Sequence, residues 1–449
     1  MGLPWRGYPR EWLVLLLVAL AAFGPVYADG WPDISRLALT QAIVDDHTVR
    51  IDRFASQTGD KAVYRGHFYT DKAPGISFLA VGPFAVFRAA GVVVPPKSAN
   101  GVWYVPRSLW LFRLLTGGLF FLLGTFLVGR VAEGLRPGTG ALSAATFGVG
   151  TMALPLAATV FGHIPAGVLC LAAFLCLWQP GRRLDVVAGV CTGLAVLVEY
   201  QAVVIVGILL CYLLATRRSA AAALRFVAGG VPAALALGAY DWAAFGSPFR
   251  LSYRYVGAEF AKRQHQDLFG IGFPRWHSLW AIPFDSQRGL IVTSPVTALA
   301  LAGLVLLWRA GRRAEAAVCL AVTAALYLMD AGYFEPFGGV SPGARFFAPA
   351  LPFLALGLPL AFERWPRLTA TAALVSLFLL APLTAGWRVD GGSWWDRAGG
   401  SMTWFLKSTS RGVVVTGILV LGGAALGYAA SRRAKTIGAA SAIVANAKK

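Results

Sequence analysis

Residues 184–215 read LDVVAGVCTGLAVLVEYQAVVIVGILLCYLLA, an apolar run with Glu199 and Tyr200 at its centre. One bilayer crossing takes about 20 residues, so the run is too long for a single span. A carboxylate at the middle of a span is costly as well. Split at Glu199 and Tyr200, each half reaches roughly 24 Å at the helical rise, enough for a locally thinned bilayer. The flanking arginines favour the split. Arg182 and Arg183 precede the run, and Arg217, Arg218 and Arg225 follow it. Two crossings return the chain to the side it left and put both groups on one face, as orientation by cytoplasmic positive charge requires.

The same test extends along the chain. Apolar stretches at 12–28, 108–129, 140–160, 164–179, 226–245, 290–308, 314–332, 347–362, 368–386 and 412–431 are long enough to cross. The stretch 75–95 contains Gly75, Gly82, Pro83, Arg88 and Gly91 and reads as an interfacial or re-entrant segment on the outer side. With that choice Arg130 and Arg136, then Arg309, Arg312 and Arg313, then Arg364 and Arg367, and finally Arg432, Arg433 and Lys435 all fall on the cytoplasmic face. The expected fold is an all-α polytopic membrane protein of about twelve transmembrane helices, a single integral membrane domain over 1–449 with both termini cytoplasmic. A large first extracytoplasmic loop, 29–107, holds interfacial helices; 246–289 and 387–411 are the second and third outer loops, with the short 333–346 between them. Residues 432–449 form a basic cytoplasmic tail.

Composition agrees, with 57% hydrophobic and only 14% charged residues. A net charge of +19 would point to nucleic acid in a soluble chain, but here the arginines sit mostly in short links between apolar runs. Nucleic acid is therefore excluded as a partner. The cysteines Cys170, Cys176, Cys191, Cys211 and Cys319 all lie in apolar runs, so no disulfide framework or zinc motif is implied. Arg6 and Arg10 before an apolar stretch, with Val26-Tyr27-Ala28 after it, have the look of a secretory signal; the span count favours an uncleaved first helix. No internal repeat is visible.

Ionisable residues concentrate between Asp29 and Pro74, where Asp33, Asp45, Asp46, Asp52, Asp60 and Asp71 accompany Lys61, His67, Tyr69 and Lys72. Clustered charge beside membrane spans marks a functional site. Two motifs there carry a family likeness. Asp33-Ile34-Ser35-Arg36-Leu37-Ala38 looks like the Asp-Glu-x-Arg-Tyr-Ala element of the GT-C superfamily of membrane glycosyltransferases, the group of the lipid A aminoarabinose transferases and protein O-mannosyltransferases. Tyr69-Thr70-Asp71-Lys72-Ala73-Pro74-Gly75 resembles their Tyr-x-x-Lys-Pro-Pro-Leu element. Ile34 replaces the second acidic residue of the first motif, and Ala73-Pro74-Gly75 replaces Pro-Pro-Leu in the second. The likeness covers about the first 180 residues with recognisable spacing.

The resemblance implies a GT-C-like bacterial cell-envelope enzyme. It would move a sugar from a polyprenyl-phosphate donor to a lipid, glycan or protein acceptor at the outer face of the cytoplasmic membrane, with inversion. An acceptor hydroxyl needs a carboxylate to take its proton, and Asp33 is the first choice as base, with Asp60 and Asp71 as alternatives and His67 as a further candidate. The departing lipid phosphate gains charge that fixed cations stabilise; Lys72, Arg345 and Lys61 are candidates. Arg345 follows the glycine-rich Gly338-Gly339-Val340-Ser341-Pro342-Gly343-Ala344, where backbone N–H groups can approach an anion. Tyr69, Arg36, His163, Glu199 and Tyr200 are candidate substrate-binding residues. His163 and Glu199 leave a divalent cation, Mg or Mn, open as a cofactor, though no spacing compels a metal. Tyr253, Arg254 and Tyr255, and the tryptophans Trp387, Trp394, Trp395 and Trp404, read foremost as interfacial anchors. Two other readings stand beside the enzyme: a transporter or flippase for a lipid-linked glycan, with ionisable groups in mid-span, and a non-catalytic scaffold.

Overall fold

The computed structural model describes residues 2–24, 30–93, 106–339, 341–386 and 409–446. The chain opens with helix α1 (Glu11–Ala22). Its polar insert then forms α2 (Trp31–Asp46), a 3-10 turn at Asp52–Gln57, the hairpin β1 (Lys61–Tyr64) and β2 (His67–Thr70), and α3 (Gly75–Ala89). The bundle follows as α4 (Pro106–Arg113), a π-helical turn at Leu114–Gly118, α5 (Leu119–Leu135), α6 (Gly140–Gly150), α7 (Ala153–Ala157), α8 (His163–Trp178), α9 (Arg182–Val198), α10 (Ala202–Arg217) and α11 (Ala220–Phe245). The segment 246–289 carries α12 (Ala258–Gln264) and α13 (Trp276–Phe284). After it come α14 (Leu290–Thr293), α15 (Val296–Arg309), α16 (Arg313–Gly332), a 3-10 turn at Arg345–Ala350, α17 (Leu351–Leu354), α18 (Leu358–Arg364), α19 (Pro366–Gly386) and α20 (Thr409–Asn446).

The run 184–215 divides as its charge pattern requires. Helix α9 stops at Val198, Glu199 is extended with φ −154° and ψ 114°, and α10 restarts at Ala202. Six stretches, Ser108–Leu135, Ala220–Phe245, Arg313–Gly332, Arg345–Arg364, Pro366–Thr384 and Gly412–Ala434, are long and apolar enough to cross a membrane, and shorter apolar helices stand beside them. Leu224, Val227 and Leu235 leave an apolar face of α11 uncovered, at 69%, 53% and 68% exposure. Lipid is the solvent that makes such a face stable. The chain is a multi-pass membrane protein.

Several expected crossings are not single helices. The stretch 140–160 breaks at Thr151, whose Oγ1 accepts from Ala153 N and so caps α7 instead of continuing α6. The stretch 290–308 breaks at Ser294-Pro295, because Pro295 has no N–H to extend α14. Residues 347–362 alternate 3-10 and α segments around Pro349, Pro352 and Pro359, and this segment forms the buried heart of the bundle. Glycines let its neighbours close in: a Cβ on Gly303 would collide with the Gly357 carbonyl, and one on Gly167 would sit 2.6 Å from Pro349. The tail expected from 432 continues α20 as helix to Asn446. Of 387–411, expected as a third outer loop, all but 409–411 lie outside the described residues, and those three open α20.

The β1–β2 hairpin is clamped to the segment that follows α11. Between β1 and β2, Arg65 and Gly66 take left-handed φ of 51° and 78°, the conformation a two-residue hairpin needs. The free edge of β1 pairs with residues 255–257: Val63 N donates to Tyr255 O at 2.7 Å and Gly257 N to Lys61 O at 2.9 Å. Beneath lies a second, smaller core of Leu39, Ile51, Phe54, Tyr69, Tyr240 and Phe245.

Candidate active site

The site gathers at the end of the bundle where α8 begins and α9 meets α10. Asp33 lies in the first turn of α2, where the helix dipole favours a negative charge, and Arg36 follows one turn later on the same face. Both are only 2% exposed. Asp33 Oδ1 accepts from Val160 N at 2.7 Å. Arg36 Nη2 donates to Glu199 Oε2 at 3.3 Å, so the corner between α9 and α10 is built around a buried ion pair. This contact accounts for the helix break.

From the hairpin side, Ser35 Oγ and Thr70 Oγ1 meet at 2.6 Å and lock α2 to the end of β2. The next two residues enter the cluster. Lys72 Nζ reaches Asp60 Oδ2 and Asp71 Oδ2, each at 2.9 Å, with all three side chains largely buried. Burial works against the Lys72 ammonium, yet the Asp60 and Asp71 carboxylates hold its pKa above the ordinary value. Burial pushes Asp71 up, opposed by Lys72. Burial likewise lifts Asp33 to about 7, against the Val160 N–H and the positive charges of Arg36 and Arg345, while Asp60 adds to the rise. A carboxyl poised near neutrality suits a general base.

His163 begins α8 with Nδ1 at 3.0 Å from Gln201 Nε2 and 3.4 Å from Glu199 Oε2. Arg345 opens the 3-10 turn, its guanidinium 4.8 Å from the Phe161 ring and 5.1 Å from that of Phe346. Gly338 and Gly339 have φ of 68° and 76°, and a side chain at Gly338 would collide with Arg345 Nε. Among the described residues Arg345 makes no hydrogen bond or ion pair, whereas Arg36 and Lys72 are each neutralised by carboxylates. Arg345 is thus the cation left to meet an anion from outside.

The fold therefore unites Asp33, Arg36, Asp60, Asp71, Lys72, His163, Glu199 and Arg345. Tyr200 borders them, its OH 3.5 Å from Ser252 Oγ. Three candidates lie elsewhere. His67 pairs with Asp52 at 2.8 Å on the outer side of the hairpin, with about two fifths of each side chain exposed. Lys61 Nζ donates to Ala55 O at 2.6 Å and stays within its own loop. Tyr69 packs its ring 5.3 Å from Phe245 in the smaller core. Among the described residues no group of three His, Cys, Asp or Glu is arranged to hold a metal ion. Asp60, Asp71 and Glu199 are committed to cations, which does not fit a divalent ion.

Other contributors carry no motif. Ser252 Oγ donates to the Asp71 carbonyl at 2.8 Å. Tyr253, read from sequence as an interfacial anchor, stacks edge-on to Tyr200 at 5.2 Å and joins the roof of the site. Arg288 Nη1 donates to Gly339 O at 3.0 Å and lies 4.3 Å from the Phe337 ring, steadying the glycine turn beside Arg345.

Comparison with solved structures gives the architecture a precedent. The chain matches ArnT from Cupriavidus metallidurans bound to undecaprenyl phosphate with a TM-score of 0.56, over 94% of this chain and 77% of that one. The fold resembles that of ArnT. Its apo form matches with a TM-score of 0.53, over 92% and 75% of the two chains. ArnT is a GT-C enzyme, so the fold agrees with the likeness carried by residues 33–38 and 69–75. Sequence identity to the two is only 15% and 14%. No protein-family model matches the chain, and no curated protein matches it significantly.

Proposed function

We propose that the protein is a GT-C-type glycosyltransferase that uses a polyprenyl-phosphate-linked sugar and transfers it to a lipid, glycan or protein acceptor at the outer face of the cytoplasmic membrane. The observation that carries this reading is the buried carboxyl of Asp33, poised near neutrality, in the same cluster as Arg345, which makes no hydrogen bond or ion pair among the described residues. Asp33 takes the proton of the acceptor hydroxyl as that oxygen attacks the anomeric carbon. Attack from the face opposite the lipid phosphate inverts the centre. Arg345 faces the phosphate, whose negative charge grows as the bond breaks, while Lys72 stands in the same cluster held between Asp60 and Asp71. The ArnT fold, solved with undecaprenyl phosphate bound, supports the donor class.

The test is transfer of radiolabelled sugar from undecaprenyl-phosphate donors to membrane-extract acceptors by purified protein, with wild type and Asp33→Asn side by side. Wild type transfers label, and the variant loses at least about a hundredfold in rate, the scale of a general base. Full activity in folded Asp33→Asn moves the base to Asp60 or Asp71. No transfer by wild type from any donor removes the glycosyltransferase reading.

A further inference from the structure

Arg113 is completely buried, one of the largest side chains so placed in the protein, and it lies outside the cluster just described. Its guanidinium gathers carbonyls from two places in the chain. Nη2 donates to Phe23 O at 2.8 Å, and Nη1 to Ala22 O at 3.3 Å and to Ala157 O at 3.2 Å. The first two close α1, whose C-terminal carbonyls have no intrahelical donor; the third closes α7. Immediately after Arg113 the helix loosens into the π turn Leu114–Gly118, a deviation common at functional sites. Gly117 in that turn lies so close to the segment after α7 that a Cβ there would be 3.1 Å from Thr159 O.

The segment pinned from both directions is the one the site depends on. Thr159 Oγ1 donates to Leu156 O at 2.7 Å and accepts from Phe161 N at 3.2 Å, fixing the turn internally. Between them Val160 N donates to Asp33 Oδ1, and the Phe161 ring supports Arg345. From Arg113 to Asp33 there is a continuous path: guanidinium, Ala157 carbonyl, Ala158 and Thr159 of the turn, Val160 N–H, carboxylate.

We propose that Arg113 is a positioning residue that holds the 157–161 turn so that Val160 N–H stays on the carboxylate of Asp33. The inference rests on Asp33 being the working carboxylate. The Val160 bond stabilises the ionised form, so releasing the turn raises the pH at which Asp33 loses its proton. The charged groups facing Asp33 are Arg36 on its own helix, Arg345 from the 3-10 turn and Asp60 from before the hairpin; none of these is altered by a change at Arg113.

The test reads protonation directly. An apolar carbodiimide modifies protonated buried carboxyls, and the pH of half-maximal labelling of the Asp33 peptide, followed by mass spectrometry on the full-length protein in membranes, reports its titration. Arg113→Met and Arg113→Lys both raise that midpoint by about one unit, the loss of one strong hydrogen bond. Lys keeps the charge, but one ammonium cannot hold carbonyls from α1 and α7 together. Gly117→Ala pushes the same turn from the other side without touching a charge and shifts the midpoint the same way. It decides alone if neither Arg113 variant folds. A wild-type midpoint in Arg113→Lys alongside a shifted one in Arg113→Met would reduce the effect to charge at a distance and overturn the proposal, as would unchanged midpoints in the folded variants. Because labelling does not need turnover, a failed transferase assay and a failed positioning role give separate results.

Discussion

Asp33 makes the site costly to fold. Its pKa rises from 3.8 to about 7 in the folded state, so the folded protein binds this proton more tightly than the unfolded chain. Stability from this source is full below about pH 4 and is lost as pH climbs through 7, by an amount on the order of 4 kcal/mol. Asp33→Asn cannot ionise, so the variant should melt at a progressively higher temperature than wild type as pH goes from 5 to 8. Parallel melting curves across that range would mean that Asp33 is not held near neutrality. The residue level was also the least legible in the sequence. His67, Lys61 and Tyr69 share a loop with Lys72, and composition could not separate them. The hairpin register does, since Tyr64 faces His67 at the turn end and Lys61 faces Thr70 beside Asp71. That register follows from the two-residue turn at Arg65-Gly66, a signal present in the sequence but weaker than an Asn-Gly turn.

Elements were better marked where charge interrupted them. Glu199 split the 184–215 run because a carboxylate has to leave lipid, and the fold gives it Arg36 as partner. The breaks at Thr151, at Ser294-Pro295 and within 347–362 are hidden in the sequence, because all three lie in segments apolar enough to pass for spans. Close packing of α9 on α11 was unreadable for a related reason: only contact shows which glycines matter. Gly189, Gly193, Gly229 and Gly230 line that seam, and a Cβ on Gly189 would collide with the Phe226 carbonyl. At its end Arg225 holds Asp185 at 2.9 Å. Gly189→Ala should destabilise the protein by about 1–3 kcal/mol through this overpacking, although alanine favours helix in isolation. Gly207→Ala, with open space around its Cβ, is the control. Equal thermal unfolding of the two variants would show that the helices are free to separate.

At the scale of the whole molecule, charge sorts into two ends. Helix α8 runs from His163 in the site to Trp178, whose ring lies 5.7 Å from the Arg312 guanidinium. Helix α9 returns from Arg182 to Val198, and α10 departs again from Ala202 to Arg217, which donates to Leu177 O at 2.9 Å. Arg136 pairs with Glu363, Arg433 donates to Phe362 O, and Arg312 donates to Gly2 O. The arginine links therefore meet one another at the end of the bundle opposite the Asp33 cluster. The separation matters because the positive face fixes which side the site confronts. The orientation follows if the arginine end is cytoplasmic. In a variant with its five cysteines replaced, Arg65→Cys at the exposed hairpin turn should react with a membrane-impermeant maleimide on intact cells. Arg218→Cys, exposed where α10 ends, should react only after lysis. Labelling of both sites in intact cells would break the two-ended arrangement. The reverse pattern would keep the fold but turn the site toward the cytoplasm, and with it the side on which donor and acceptor must meet.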